Sequence, residues 1–181
     1  MRVLAPGLLE GRSIAVAGGV PETVAVSLAE LRARVERLDG AELGDQEVGE
    51  WARSRGPLHA LVYDGGSAFA GGGPQALLAM MQQAWSAVRE VAVGALIDGG
   101  DPGKIVLLGP RPQAGPGASA GRAALENLAR TLSVEWARHN VTVVMVAPGA
   151  STQESELAEV ICFLCSLAGD YFSGCRVELG E

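Results

Sequence analysis

Residues 103–149 read GKIVLLGPRPQAGPGASAGRAALENLARTLSVEWARHNVTVVMVAPG. Ile105 to Leu108 is a short apolar run of the kind that forms a buried strand. A Gly/Pro-rich loop follows, then an amphipathic helix that ends near His139-Asn140. A second apolar run, Val141 to Val146, stops at Pro148-Gly149. Strand, loop, helix and strand in that order make a βαβ unit, whose right-handed crossover sets the two strands parallel.

Working outward, the same alternation continues in both directions. Upstream, Ser13 to Ala17 reads as a strand, followed by Gly18-Gly19-Val20-Pro21 and a helix from Glu22 to about Arg34. Arg34 to Leu38 reads as a strand, Asp45 to Ser54 as a helix and Leu58 to Tyr63 as a buried strand. The stretch SAFAGGGP that follows reads as a flexible loop, and Pro74 opens a long helix to about Ile97. Downstream, a helix spans Glu156 to Ala168 and a last strand runs through Val177 to Leu179. Alternation of this kind predicts an α/β fold with a Rossmann-like, doubly wound parallel sheet of about six strands.

The long helix from Pro74 carries apolar residues on two faces: Leu77, Met81, Ala84, Val88 and Val91, then Leu78, Trp85 and Ala92. The helix from Ala118 has a stripe of Leu125, Leu128, Leu132 and Trp136, with Ala120, Ala123, Ala124 and Val134 off it. One apolar face packs on the sheet; a second must meet another element or a partner.

Composition narrows the function. The chain has 181 residues, 48% of them hydrophobic, which suits a single domain over 1–181 with a substantial core. A net charge of -7 argues against a nucleic-acid or anionic-membrane partner. Lys104 is the only lysine. No apolar run is long enough to span a bilayer, and the start lacks a signal-peptide core, so a cytoplasmic location is expected. Cys162 and Cys165 form a C-x-x-C inside an apolar helical run, with Cys175 beyond it. With no second Cys/His pair nearby they read as packed core residues, and no metal site is expected. His59 and His139 read as surface residues.

From Gly103 to the end, and more weakly over nearly the whole chain, the sequence resembles the classical short-chain dehydrogenase/reductases, NAD(P)-dependent oxidoreductases. The resemblance rests on Leu125, Leu128, Leu132, Glu135, Val141-Thr142-Val143 and Pro148-Gly149. It places the family's catalytic Ser on Pro110, its Tyr on Ala118 and its Lys on Arg122. None of these keeps the chemistry. Ala118 has no ionisable group, Pro110 has neither hydroxyl nor N–H, and Arg122 keeps a charge but not the compact ammonium. The family's T-G-x-x-x-G-x-G keeps Gly18, while Glu22 and Val24 stand at its next two glycines. Its N-N-A-G motif falls on Tyr63-Asp64-Gly65-Gly66, where the final Gly66 survives. Asp39 resembles the Asp that follows the family's third strand, which implies that one βα unit, the second strand and its helix, is deleted; loss of the third strand is the alternative. The mobile segment that closes over substrate is cut to Ala150 to Ser155.

What the resemblance implies is a non-catalytic subunit, a pseudoenzyme, that pairs with a full-length, active short-chain dehydrogenase/reductase and stabilises or regulates it. No catalytic residue, no cofactor and no metal are expected, with Gly18, Asp39 and Gly66 as vestiges of the dinucleotide site. The family pairs its two long helices with a neighbouring subunit's copies. That places a hetero-oligomer interface at Met81, Trp85, Val88, Leu125, Leu128, Leu132, Trp136 and Phe172. A homo-oligomer is the other assembly. The alternative reading is an NAD(P)-dependent oxidoreductase-like enzyme or a ligand-binding protein with a non-standard site near Asp64, lined by Ser67, Asp98 and Arg122.

Overall fold

The computed structural model describes residues 4–39, 44–97 and 101–180. In chain order it contains β1 (Ser13–Ala17), α1 (Glu22–Glu30), β2 (Arg34–Leu38), α2 (Asp45–Ser54), β3 (Ala60–Asp64) and a single turn, α3 (Gly65–Ala68). Then come α4 (Gly73–Val91), β4 (Gly103–Leu108), α5 (Ala118–Glu135), β5 (Val141–Pro148), α6 (Glu154–Cys165) and β6 (Arg176–Leu179). The strands form one six-stranded sheet in the order β2-β1-β3-β4-β5-β6, and every neighbouring pair is parallel. The chain leaves β1 in one direction and resumes on its other side at β3. The switch point, where open α/β sheets bind ligands, therefore lies between these two strands.

Residue alternation along each strand builds two cores. Ala15, Leu61, Ile105, Val143 and Met145 meet α2, α4 and α5 on one face. Ile14, Val16, Val62, Val106 and Val144 meet α1 and α6 on the other. Because both faces are covered, β4 and β5 read as continuous apolar runs rather than alternating ones.

Several expectations change in detail. Helix α1 stops at Glu30, short of Arg34. Arg32 takes a left-handed φ of 72°, and Leu31 and Ala33 are buried as the chain turns back into β2. The expected flexible loop after β3 contains α3, and Phe69 behind it is fully buried as an anchor in the core. Helix α4 runs on into a wider-wound turn over Ala92–Leu96.

The interface residues divide. Val88, Leu125 and Leu132 are buried against the sheet, where each side chain contributes about 2 kcal/mol of hydrophobic stabilisation, and Trp136 is nearly buried. They are core, not surface, because the inward stripe of a helix looks the same whether it meets a sheet or a partner. The outward apolar surface consists of Leu78 (53% exposed), Trp85 (41%) and Val93 (54%) in and just after α4, and Val134 (77%) on α5. Met81 and Leu128 are half-buried beside it, and Phe172 is exposed at the far edge.

Cys162 and Cys165 are buried, and burial, with Cys162 alongside, pushes the Cys165 thiol up to about 12. They pack as small apolar groups. No helix among the described residues is long and apolar enough to cross a membrane.

Candidate functional site

The C-terminal ends of the strands hold two separate spaces. The larger, about 590 Å3, opens over β1, β2 and β3 and is closed from the side by α2 and α4. Gly18, Gly19, Asp39, Tyr63, Ser67 and Gln82 are among its walls. Among the described residues, the Tyr63 hydroxyl is buried without a hydrogen-bond partner. Burial, with Asp64 next to it, drives the Tyr63 phenol far above its ordinary pKa, so it stays protonated. Across the pocket mouth Asp45 accepts from Ser86 and pairs with Arg89 at 2.5 Å.

Asp39 directly follows β2, which lies against β1. This pairing is compatible with loss of either βα unit. An acid about 20 residues beyond the glycine loop, on the strand next to β1, is in the position that reads a ribose in dinucleotide folds. Compared with the 3-2-1 half of such sheets, the outermost strand position is the one left unfilled. The physical reason is pairing: a lone strand on this side must take the inner place to satisfy the β1 ladder.

The smaller space, about 250 Å3, lies over β4 and β5. Asp64, Gly66, Arg111, Pro148 and Glu154 are among its walls. Asp64 caps α3 by accepting the Gly66 N–H at 2.8 Å. Burial raises Asp64 to about 6, against the pull of the Gly66 and Ser67 N–H groups and of Arg111. Of the residues expected to line one cleft, the described ones, Asp64, Ser67 and Arg122, line three different spaces. Ser67 lies in the larger pocket, Arg122 lies on another side of α5, and Asp98 is outside the described residues.

At the positions of the family's Ser, Tyr and Lys the side chains serve packing. Pro110 sits against α5, where a Cβ on Gly121 would lie 3.1 Å from its ring. Ala118 is buried at the start of α5. Arg122 donates to the Pro148 carbonyl at 2.8 Å and to that of Pro110 at 3.5 Å. Arg111 donates to the carbonyls of Thr152 at 2.8 Å and Gly149 at 3.1 Å. Thr152 in turn joins the Gly149 N–H to the Leu179 carbonyl, both at 2.8 Å. The ends of β4, β5 and β6 are thus tied by guanidinium and hydroxyl bonds to backbone oxygens. Arg111 was not singled out from the sequence; an arginine between two prolines just past a strand was the available signal.

A nicotinamide dinucleotide, which this class of fold implies, has to cross both spaces with its diphosphate at the start of α1. The residues present do not fit it. A Cβ on Gly18 would meet the Asp64 carbonyl at 2.5 Å, and one on Gly19 would meet Ser67 Oγ at 2.7 Å. The glycine turn therefore packs against the chain's own α3 on one side and lines the larger space on the other. The crevice beside the start of α1 presents the carboxylates of Asp64 and Glu154, and its arginine, Arg111, is already engaged. Glu22 is held away by Arg37 at 2.6 Å, and Val24, at the last glycine position, is buried in the core.

This is a Rossmann-type α/β protein with the topology of a dinucleotide-binding sheet. Its particular variant is the short-chain dehydrogenase/reductase fold. The citronellol catabolism dehydrogenase AtuB of Pseudomonas aeruginosa PAO1 superposes with a TM-score of 0.80 at 24% identity, over 98% of this chain and 97% of that one. A Pseudomonas aeruginosa RhlG/NADP active-site complex gives 0.79 at 17%, over 97% and 98%. A Serratia marcescens short-chain dehydrogenase/reductase gives 0.74 at 20%, over 95% and 97%. No family model matches the sequence, and no curated protein does.

Proposed function

We propose that this chain is a non-catalytic subunit that pairs with an active short-chain dehydrogenase/reductase and stabilises or regulates it. The observation that carries the reading is the use made of the catalytic positions: Pro110, Ala118 and Arg122 are packing and bridging groups. A general acid/base, a substrate hydrogen-bond donor and a ribose-holding ammonium are all missing there. The helices that pair subunits in this fold are intact and keep an apolar surface at Leu78, Trp85, Val93 and Val134. Trp85 is the best candidate anchor, since buried aromatic residues dominate interface energies.

Native mass spectrometry on the tagged protein from its source cell tests this. A complex with a full-length dehydrogenase is expected, weakened by Trp85→Glu while the chain itself stays folded. A homo-oligomer alone would overturn the reading.

A second reading, a ligand-binding protein with a non-standard site, is favoured by one observation. The unpartnered Tyr63 hydroxyl stands at a pocket of about 590 Å3, a size that suits a small molecule.

A further inference from the structure

In a parallel sheet, the residues that precede each strand gather at one edge. Here that edge collects cations. Arg12 precedes β1, Arg32 and Arg34 stand at the entry of β2, and Arg55 and His59 precede β3. Together with Ser13 they line a cleft of about 460 Å3, on the opposite side of the sheet from the crevices described above. No carboxylate is among its described lining residues. Four of the chain's 14 basic residues converge there, although the chain as a whole carries a net charge of -7.

Arg34 and Arg55 are held in place. Arg34 donates to Ser13 Oγ at 3.0 Å and to the Arg55 carbonyl at 2.9 Å. Glu36, outside the cleft, pairs with Arg34 at 3.1 Å and Arg55 at 3.7 Å, and the Arg55 guanidinium stacks 5.4 Å over Trp51. Arg32 pairs with Glu10 at 3.4 Å, with both side chains largely in solvent. Preorganised guanidinium forks are the groups that recognise phosphate oxygens bidentately. His59 accepts the Ser13 N–H on Nδ1 at 3.0 Å, so its neutral ring keeps a proton on Nε2 as a donor.

We propose that this cleft binds a small soluble anion bearing phosphate groups, with Arg12, Arg34 and Arg55 as the principal contacts and His59 beside them. Such a site would serve as a sensor or docking point separate from the strand-end crevices.

His59 supplies the readout. Burial, then Arg12 and more weakly Arg34, hold its pKa below the ordinary value, while Asp101 pushes upward. A bound anion offsets the arginine charges and raises the His59 pKa, and by linkage the anion binds more tightly as His59 becomes protonated. The test is an NMR titration of the whole chain with pyrophosphate at constant ionic strength, following His59 and His139.

The expected result is a saturable response at His59, an upward shift of its pKa and an unmoved His139. Arg55→Gln and Arg12→Gln, each checked for an unchanged unfolding curve, should weaken binding at least about tenfold. Small, unsaturable shifts at both histidines, equal in the variants, would mean an adventitious ion only and overturn the assignment. Sedimentation with phosphatidylglycerol vesicles without a response to pyrophosphate would move the source to a lipid headgroup and overturn the soluble ligand.

Discussion

Above β4, β5 and β6 the strand ends are tied together by Arg111, Arg122 and Thr152, leaving about 250 Å3. Above β1, β2 and β3 they stand apart around about 590 Å3, with one buried phenol unpartnered. In the fold this chain shares, the first region is where hydride chemistry takes place and the second is where the nucleoside end lies. The contrast teaches that the two ends of one sheet are finished differently. Over β4 to β6, Pro110, Ala118 and Arg122 fill space and satisfy backbone carbonyls. Over β1 to β3 the space stays open, with Gly18 and Gly19 among its walls.

Substitutions can break this contrast from either side. The largest effect is expected at Gly149, where a Cβ would lie 1.6 Å from the Gly180 carbonyl. Gly149→Ala should cost about 3 kcal/mol in urea unfolding, because neither backbone can yield. A cost within about 0.5 kcal/mol would mean that the β5–β6 tie is loose. Arg122→Ala should come next, at about 2 kcal/mol, since it strands the Pro148 and Pro110 carbonyls. An unchanged midpoint would remove Arg122 from the list of ties.

Asp64 lies between the two regions, and its effect depends on pH. Burial lifts its pKa from 3.8 to about 6, so the native state holds the proton more tightly than the unfolded chain does. That contribution is fully present below the ordinary value and is lost as the pH rises through about 6. Asp64→Asn should therefore be more stable than the parent at neutral pH by about 1.5 kcal/mol, with the gap closing toward pH ~4. A gap independent of pH would contradict the burial argument. The smallest effect is expected on the open side: Tyr63→Phe should stabilise by about 1 kcal/mol, because it removes an unsatisfied buried hydroxyl. Destabilisation would show that the hydroxyl has a partner in solution.

Much of the fold was legible because the signals were local. The βαβ unit from Gly103 to Gly149, the helix at Asp45–Ser54 and the strand at Ser13–Ala17 follow from apolar runs and turn residues, and each formed where its pattern placed it. That Pro110 and Ala118 bring no ionisable group to the end of β4 and the start of α5 was also legible, since side-chain chemistry is read from residue type. What the groups do instead was not legible: the bonds from Arg122 and Arg111 to the carbonyls of residues 148–152 join segments brought together by topology. Direction was ambiguous for the same reason. Val88, Leu125 and Leu132 have the spacing of an interface stripe, yet they face the sheet. The neighbour of the strand before Asp39 was not legible, because the sequence shows a strand there but not which partner it takes. Phe69 and α3 were hidden by glycines, which resemble a loop until the contacts of the aromatic ring are known.

The most direct test of the central claim is a fluorescence titration of the purified chain with NADPH and NADH. The account predicts no saturable binding up to millimolar cofactor, because Asp64 and Glu154 face the place of the diphosphate and the arginine among the described lining residues, Arg111, is already engaged. Saturable micromolar binding of either cofactor would contradict it and return the chain to the cofactor-using members of its fold.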